Sequence, residues 1–484
     1  MWRRCSTRAA AFFLVLGLAV LSQLGAWPQQ PRVYMAAPSW ELHDPASQSV
    51  PFSPFVSSIG GRLFRYGRPY RFIGANLWTG MNMGAVVAAG GDRKRLVREL
   101  DRLSSLGMKN VRVLAASEGP DQVEGWFPWR PATPWRIVPS MQPEPGQYNL
   151  DVVAGLDFLL AQLGKRNMTA VLILGNMWPW SGGFAQYVSW ATKTEIPYMP
   201  PADGGDWDRF QRYSVAFYSN ENALRAFAAH VKFVLTKRNE FSGVLYRDDP
   251  TIMAYQLANE PRAMRSVAAY RKWISDVTSM IKHLSPNHLV TIGSEGRTPF
   301  AFSYVGIDPV ADHSLEGVDY MTIHVWPQNW DWYDPLREET MGSAINRSLV
   351  YIREHVAMAA KLGKPLVIEE FGTARDDNLH EAGTPLRMRD QYYSVIFGEV
   401  VAHALKRSPL VGANFWAWAG EGRPRMPRTP GSRLEAIHCW QPNDPLIGDP
   451  PHEGAGWYSV YNTDTSTTAV LKNFSALIDA VDEQ

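Results

Sequence analysis

Eight short runs rich in Val, Ile and aromatic residues recur along this chain, at 72–77, 110–114, 170–174, 252–257, 289–292, 320–323, 365–368 and 412–415. Amphipathic stretches with helical spacing separate most of them, at 93–106, 150–166, 221–237, 266–284, 348–362 and 387–405. The connection between the fifth and sixth runs is less clearly helical. The runs are nearly continuous in apolar character, as expected of parallel strands covered on both faces. Eight strands with mostly helical crossovers predict an α/β fold, the (β/α)8 TIM barrel. A doubly wound open sheet is the structural alternative, but the chain has no Gly-rich dinucleotide turn, and eight strands favour closure.

Composition narrows the function classes. The 484 residues are 45% hydrophobic, enough for a large core. The 48 basic and 47 acidic residues nearly cancel, so the chain lacks the electrostatic footprint of a nucleic-acid binder. Arg3, Arg4 and Arg8, an apolar stretch over 9–21, and Gly25-Ala26 read as a secretory signal over residues 1–26. That apolar stretch is too short to span a membrane comfortably. The expectation is a secreted or periplasmic monomer without stable membrane association. Residues 27–54, rich in Pro, Ser and Gln, read as an arm or linker, and 55–484 as one catalytic domain. Cys5 would leave with the signal, and Cys439 alone can form no internal disulfide.

A barrel of this kind carries its chemistry at the C-terminal ends of its strands. Read across those ends, the chain offers Trp78 after the first run, Arg112 in the second, and Trp178 after the third. Asn259-Glu260 follows the fourth, His324 and Trp326 close the sixth, Glu369-Glu370 close the seventh, and Trp416 closes the eighth. Two carboxylates facing each other roughly 5 to 5.5 Å apart are the minimum equipment for retaining glycoside hydrolysis. One must arrive protonated. The other must be an anion, which Arg112 can favour. Asn259 can hold a sugar 2-hydroxyl, His324 a carboxylate or a substrate hydroxyl, and Trp416 can offer a flat floor to a sugar ring. Glu369 and Glu370 are neighbours on a strand, so alternation predicts that only one looks into the barrel. With no HExxH, CxxC or phosphate loop, no metal or organic cofactor is implied.

In order along the chain, these residues and their surroundings resemble glycoside hydrolase family 5, within it the endo-β-1,4-mannanase group. The resemblance covers most of the chain after the arm. It is carried by Phe72-Ile73-Gly74-Ala75-Asn76, by Gly182-Gly183 with Gln186-Tyr187-Val188 and Trp190, and above all by 236–262, ending in Asn259-Glu260-Pro261-Arg262. His324-Val325-Trp326, Glu369-Glu370-Phe371-Gly372, Asn414-Phe415-Trp416, Gly448-Asp449-Pro450 and Ser459-Val460-Tyr461 continue it. The resemblance implies Glu260 as acid/base and Glu370 as nucleophile, with Arg112, Asn259, His324 and Trp416 at supporting and substrate-binding positions. It implies a β-mannan polysaccharide as substrate: mannan, glucomannan or galactomannan. One departure stands out. The family commonly has Tyr two residues after the His, and this chain has Trp326. An exo-β-mannosidase, a β-1,4-glucanase, and a non-catalytic carbohydrate-binding barrel are the alternatives on the same fold.

Overall fold

The computed structural model describes residues 50–121, 136–200, 204–299, 302–424, 448–450 and 453–483. The 1–26 segment, most of the 27–54 arm, and both Cys5 and Cys439 lie outside the described residues.

Eight strands form one parallel sheet: β1 (Phe72–Asn76), β2 (Asn110–Leu114), β3 (Thr169–Ile173), β4 (Ile252–Gln256), β5 (Leu289–Thr291), β6 (Met321–Val325), β7 (Leu366–Phe371) and β8 (Leu410–Phe415). Their spatial order is β5-β4-β3-β2-β1-β8-β7-β6. The ends of that row come together without a full ladder. The Asp319 N–H donates to the Val290 carbonyl at 2.8 Å, and the His324 N–H to the Glu295 carbonyl at 3.0 Å. The result is a nearly closed (β/α)8 barrel rather than an open doubly wound sheet. Every residue of β1 to β8 is buried, which explains why the strands read as apolar runs rather than alternating ones.

The crossover helices relevant to the site are α1 (Arg93–Ser105), α2 (Leu150–Gly164), α3 (Gly183–Thr192), α4 (Trp207–Val215), α5 (Glu221–Thr236), α6 (Val267–Leu284), α7 (Met341–Leu362), α8 (Arg387–Leu405) and α9 (Thr465–Asp482). Asp92, Asn149 and Asn220 cap α1, α2 and α5 by accepting from free N–H groups of the first turn. In α1, Leu96, Leu100 and Leu103 recur at helical spacing and are buried. Helix α7 begins seven residues before the stretch its sequence pattern marks. Gly342, Ser343 and Asn346 blur the pattern there, but Met341, Ala344 and Ser348 turn inward and packing decides the outcome. Among the described residues between β5 and β6, only two short helical turns occur, Phe302–Val305 and Pro309–His313.

The N-terminal end of the barrel is plugged. Three short antiparallel strands, Ser57–Ile59, Arg62–Arg65 and Arg68–Pro69, cross it. Val56, Leu63 and Tyr70 cluster there with Phe72, Met253, Leu289, Tyr320 and Val411. The opposite end carries the long loops. The one after β3 contains α3 and α4, which the sequence pattern does not mark as helices because glycines, Trp, Tyr and Gln interrupt any apolar stripe. Among the described residues, no helix is long and apolar enough to cross a membrane.

Candidate active site

Arg112 organises the C-terminal mouth of the barrel. Its guanidinium is buried and has donors in a rigid planar fork. Nε donates to Gln256 Oε1 at 2.8 Å, Nη1 to Asn76 Oδ1 at 3.0 Å and to Glu370 Oε1 at 2.5 Å, and Nη2 to Asn259 Oδ1 at 2.7 Å. One side chain from β2 thereby ties together β1, β4 and β7. Asn259 is held on its other side by Asn176, to which its Nδ2 donates at 3.3 Å.

Glu260 leaves β4 with a left-handed backbone, φ 51°, a conformation that costs a non-glycine residue about 1–3 kcal/mol and gathers at functional sites. Its N–H is secured by the Gly293 carbonyl at 2.9 Å. Gly293 itself has φ 84°, and a Cβ there would lie 2.0 Å from the Ala258 carbonyl oxygen, so only glycine allows this approach. The Glu260 carboxyl accepts from the Trp178 indole at 2.6 Å through Oε2, and lies 2.6 Å from His324 Nδ1 through Oε1.

His324 Nδ1 also stands 3.1 Å from Glu370 Oε2, so the imidazole bridges the two acids. Burial opposes a charge on that ring. Glu370, then Glu260, outweigh it and push the His324 pKa up to about 10. For Glu370 burial favours the neutral acid, but the His324 and Arg112 charges and hydrogen bonds outweigh burial and hold it below the ordinary carboxylate range. Trp326 donates its indole N–H to Glu370 Oε2 at 3.3 Å. The indole that replaces the usual phenol therefore still addresses this carboxylate.

The alternation expected for Glu369 and Glu370 does not hold. Between Ile368 and Glu370 the register against β6 shifts by one, so Glu370 pairs with His324 and Glu369 becomes the extra residue of a β-bulge. Both carboxyls then face the barrel interior. Glu369 lies deeper, accepting from Gln256 Nε2 at 2.8 Å and the Tyr320 hydroxyl at 3.2 Å, with Arg112 Nε at 3.5 Å. Burial raises its pKa, with Arg112 pulling the other way.

One oxygen of Glu260, one of Glu370 and a ring nitrogen of His324 all lie within 4.8 Å of one another. Such a cluster could in principle cage a metal. The chemistry of its neighbours argues otherwise: the ring nitrogen facing both acids must carry a proton to bond them, and Arg112 already neutralises Glu370.

A model of the family described as GH family 5 beta-mannosidase-like matches residues 53–483 of this chain. The chain belongs to that family. A relative from Oryza sativa subsp. japonica, a putative mannan endo-1,4-beta-mannosidase 9, is 31% identical over 78% of this chain and 84% of its own length. A glycoside hydrolase family 5 mannosidase from Rhizomucor miehei is 38% identical, with TM-score 0.78, covering 90% of this chain and 99% of its own. The endo-1,4-beta-mannanase of Rhizomucor miehei, at 22% identity and TM-score 0.60, covers 89% of this chain and 100% of its own, and shares the fold.

Within this family 5 chain the remaining expected residues are placed as follows. Trp178 and Trp326 are half-buried beside the two acids. Trp416 is only 3% exposed: its ring lies parallel to Trp78 at 6.4 Å and edge-on to Trp180 and Trp326. Trp78 is 1% exposed and donates to the Gly448 carbonyl at 2.7 Å. It backs Trp416 with its ring. Asn76 and Gln256 also serve the site as partners of Arg112; each is a polar residue ending an apolar strand, β1 and β4, and that position is their sequence signal. Glu453 carries no such signal; its carboxyl is pushed well up by burial, by Asp449, and by Glu370 and Glu260.

Proposed function

We propose that this chain is a retaining endo-β-1,4-mannanase that hydrolyses internal β-1,4-mannosidic bonds of mannan, glucomannan or galactomannan. Glu370 is the nucleophile and Glu260 the acid/base. The observation that carries this reading is the separation of the two carboxyls, within 4.8 Å between facing oxygens, close to the roughly 5 to 5.5 Å of retaining enzymes and well short of the roughly 6.5 to 9.5 Å of inverting ones. Their surroundings differ. Glu370 is held as an anion by Arg112 and His324. Arg112 does not reach Glu260, whose carboxyl instead meets the Trp178 indole and the His324 imidazole.

The reaction then runs in two steps. Glu370 attacks the anomeric carbon while Glu260 protonates the departing oxygen. Glu260 next removes a proton from water as that water displaces Glu370, and the β configuration returns. Asn259, fixed by Arg112 and Asn176, presents its amide toward the substrate 2-hydroxyl. The mannan substrate is supported by relatives named mannan endo-1,4-beta-mannosidases. A second reading, an exo-acting β-mannosidase, is favoured by the Rhizomucor miehei mannosidase at 38% identity. Product analysis separates the two. Internal cleavage lowers the viscosity of galactomannan early and yields mixed oligosaccharides; release of mannose alone would replace the endo reading with the exo one. Residues 1–26 are proposed as a secretory signal, checked by N-terminal sequencing of the exported protein.

A further inference from the structure

A second buried ion pair lies near Glu260. Arg262, two residues along the same loop, donates through Nε and Nη2 to Glu295 Oε2 and Oε1 at 2.8 and 2.9 Å. Its Nη1 donates to Gln211 Oε1 at 2.8 Å, and Gln211 is anchored by the Trp207 carbonyl and the Tyr304 hydroxyl. Each of the three guanidinium nitrogens donates to a fixed partner, and the face of the group lies 4.9 Å from the centre of the Trp178 ring. Phe210 lies nearly parallel to that indole at 6.2 Å, and Trp207 meets it edge-on at 5.8 Å. Glu295 is fixed in turn: its main-chain carbonyl accepts from the His324 N–H and from the Tyr351 hydroxyl at 2.6 Å.

Neither Arg262 nor Glu295 hydrogen-bonds Glu260; Trp178 does, at 2.6 Å. An indole has one N–H, and its hydrogen bond weakens steeply off axis. The orientation of the ring therefore decides whether Glu260 is held in one place. A buried ion pair is a weak source of stability, because desolvation offsets its attraction, so its position beside the site calls for another account. We infer that the Arg262–Glu295 pair is a positioning device for the acid/base, clamping the Trp178 indole so that its N–H fixes the Glu260 carboxyl toward the leaving oxygen. This rests on Glu260 being the acid/base.

The test uses the full chain with two designs. Arg262→Lys keeps the charge but loses the fork. Arg262→Met with Glu295→Gln removes both charges, so neither is left unpaired. General acid–base catalysis contributes about 10²- to 10⁴-fold, and a misaligned acid forfeits part of it. The expected result is a kcat about tenfold or more lower on mannotetraose, with KM within about twofold. Aryl β-mannosides with good leaving groups should still form the glycosyl-enzyme at nearly the parent rate, read as the pre-steady-state burst. Trp178→Phe should give the same pattern, and adding it to the paired variant should bring no further loss. A readout independent of activity is the indole N–H resonance of Trp178, assigned by its loss in Trp178→Phe. It should lie downfield in the parent and move toward the position of an exposed indole in both designs. An unmoved resonance, equal losses on both substrate types, or additive losses with Trp178→Phe would each overturn the inference. If the parent cleaves no β-mannoside, the acid/base reading fails, and the resonance still decides whether the pair holds Trp178.

Discussion

Glu369 and Glu370 are adjacent in sequence, yet both carboxyls lie on one guanidinium: Arg112 Nη1 is 2.5 Å from Glu370 and Arg112 Nε 3.5 Å from Glu369. A regular strand would send them to opposite faces. The bulge at Glu369 turns both inward at different depths. Depth then divides their work. Glu370 reaches the rim, where His324 and Trp326 meet it, whereas Glu369 stays below among Gln256 and Tyr320.

The nucleophile should therefore be Glu370. Trapping with an activated 2-fluoro mannoside and mapping the labelled peptide should place the sugar on it, and a label on Glu369 would reverse the assignment. Glu370→Gln should lower kcat by roughly 10⁴-fold or more, since a covalent step cannot proceed without its nucleophile. Glu369→Gln, which keeps a hydrogen-bonding oxygen below the site, should lose much less.

Arg112→Met should damage folding as well as catalysis. It removes the only guanidinium bonded to Glu370 among the described residues and strands Asn76, Gln256 and Asn259. Breaking a buried pair from one side costs about 3–5 kcal/mol. Thermal melts should show a large drop for Arg112→Met and a smaller one for the double variant Arg112→Met with Glu370→Gln, which leaves no unpaired carboxylate at that position. Equal drops would mean that the charge is not what the guanidinium balances.

His324 should make stability fall on the alkaline side. Its folded pKa, about 10, lies above its ordinary value of 6.5. The folded state therefore holds the proton more tightly than the unfolded one. That contribution is complete below about pH 6.5 and fades as pH climbs toward 10. Glu370 runs in the opposite direction: its contribution is present above the ordinary carboxylate range and fades as pH falls through its lowered value. Melting temperatures of the parent between pH 6.5 and 10 should decline more steeply than those of His324→Gln. Parallel slopes would place the imidazolium elsewhere or nowhere.

Trp416 should prove structural in part. Trp→Ala in a core typically costs about 3–5 kcal/mol, and this ring is 3% exposed among Trp78, Trp180 and Trp326. Trp416→Ala should lower the melting temperature together with activity, whereas Trp416→Phe should recover most of the stability. A fully stable Trp416→Ala variant with low activity would restore the picture of an open sugar platform.

The barrel could be read from sequence because its strands are buried on both faces and its crossover helices keep an apolar stripe, so each element carries its own signal. Glu260 and Arg112 were legible for a related reason: a charged residue at the end of an apolar run has to be satisfied by something at the rim. The bulge was not legible, because a one-residue slip depends on how β7 sits against β6 and leaves no local mark at Glu369. Helices α3 and α4 were missed because Gly182-Gly183 and the polar aromatic surroundings read as a loop. Arg262 and Glu295 belong to different crossovers, 33 positions apart in sequence, and their pairing exists only in the closed fold.

Glu260→Ala should separate the two steps of the reaction. The residue has two duties, giving a proton to the leaving oxygen and later taking one from water. Natural mannans have a poor leaving group and need the first duty, so their cleavage should fall by about 10²- to 10⁴-fold. Aryl mannosides with acidic phenols need little protonation, so they should still form the glycosyl-enzyme on Glu370 and then accumulate it, giving a burst. Azide needs no general base and is small enough for the space left by the missing carboxyl, so it should restore turnover. Because Glu370 attacks from one face and azide displaces it from the other, the product should be the β-mannosyl azide. The opposite anomer would show that no covalent intermediate forms. Equal loss on both substrate types, with no rescue, would move the acid/base role away from Glu260.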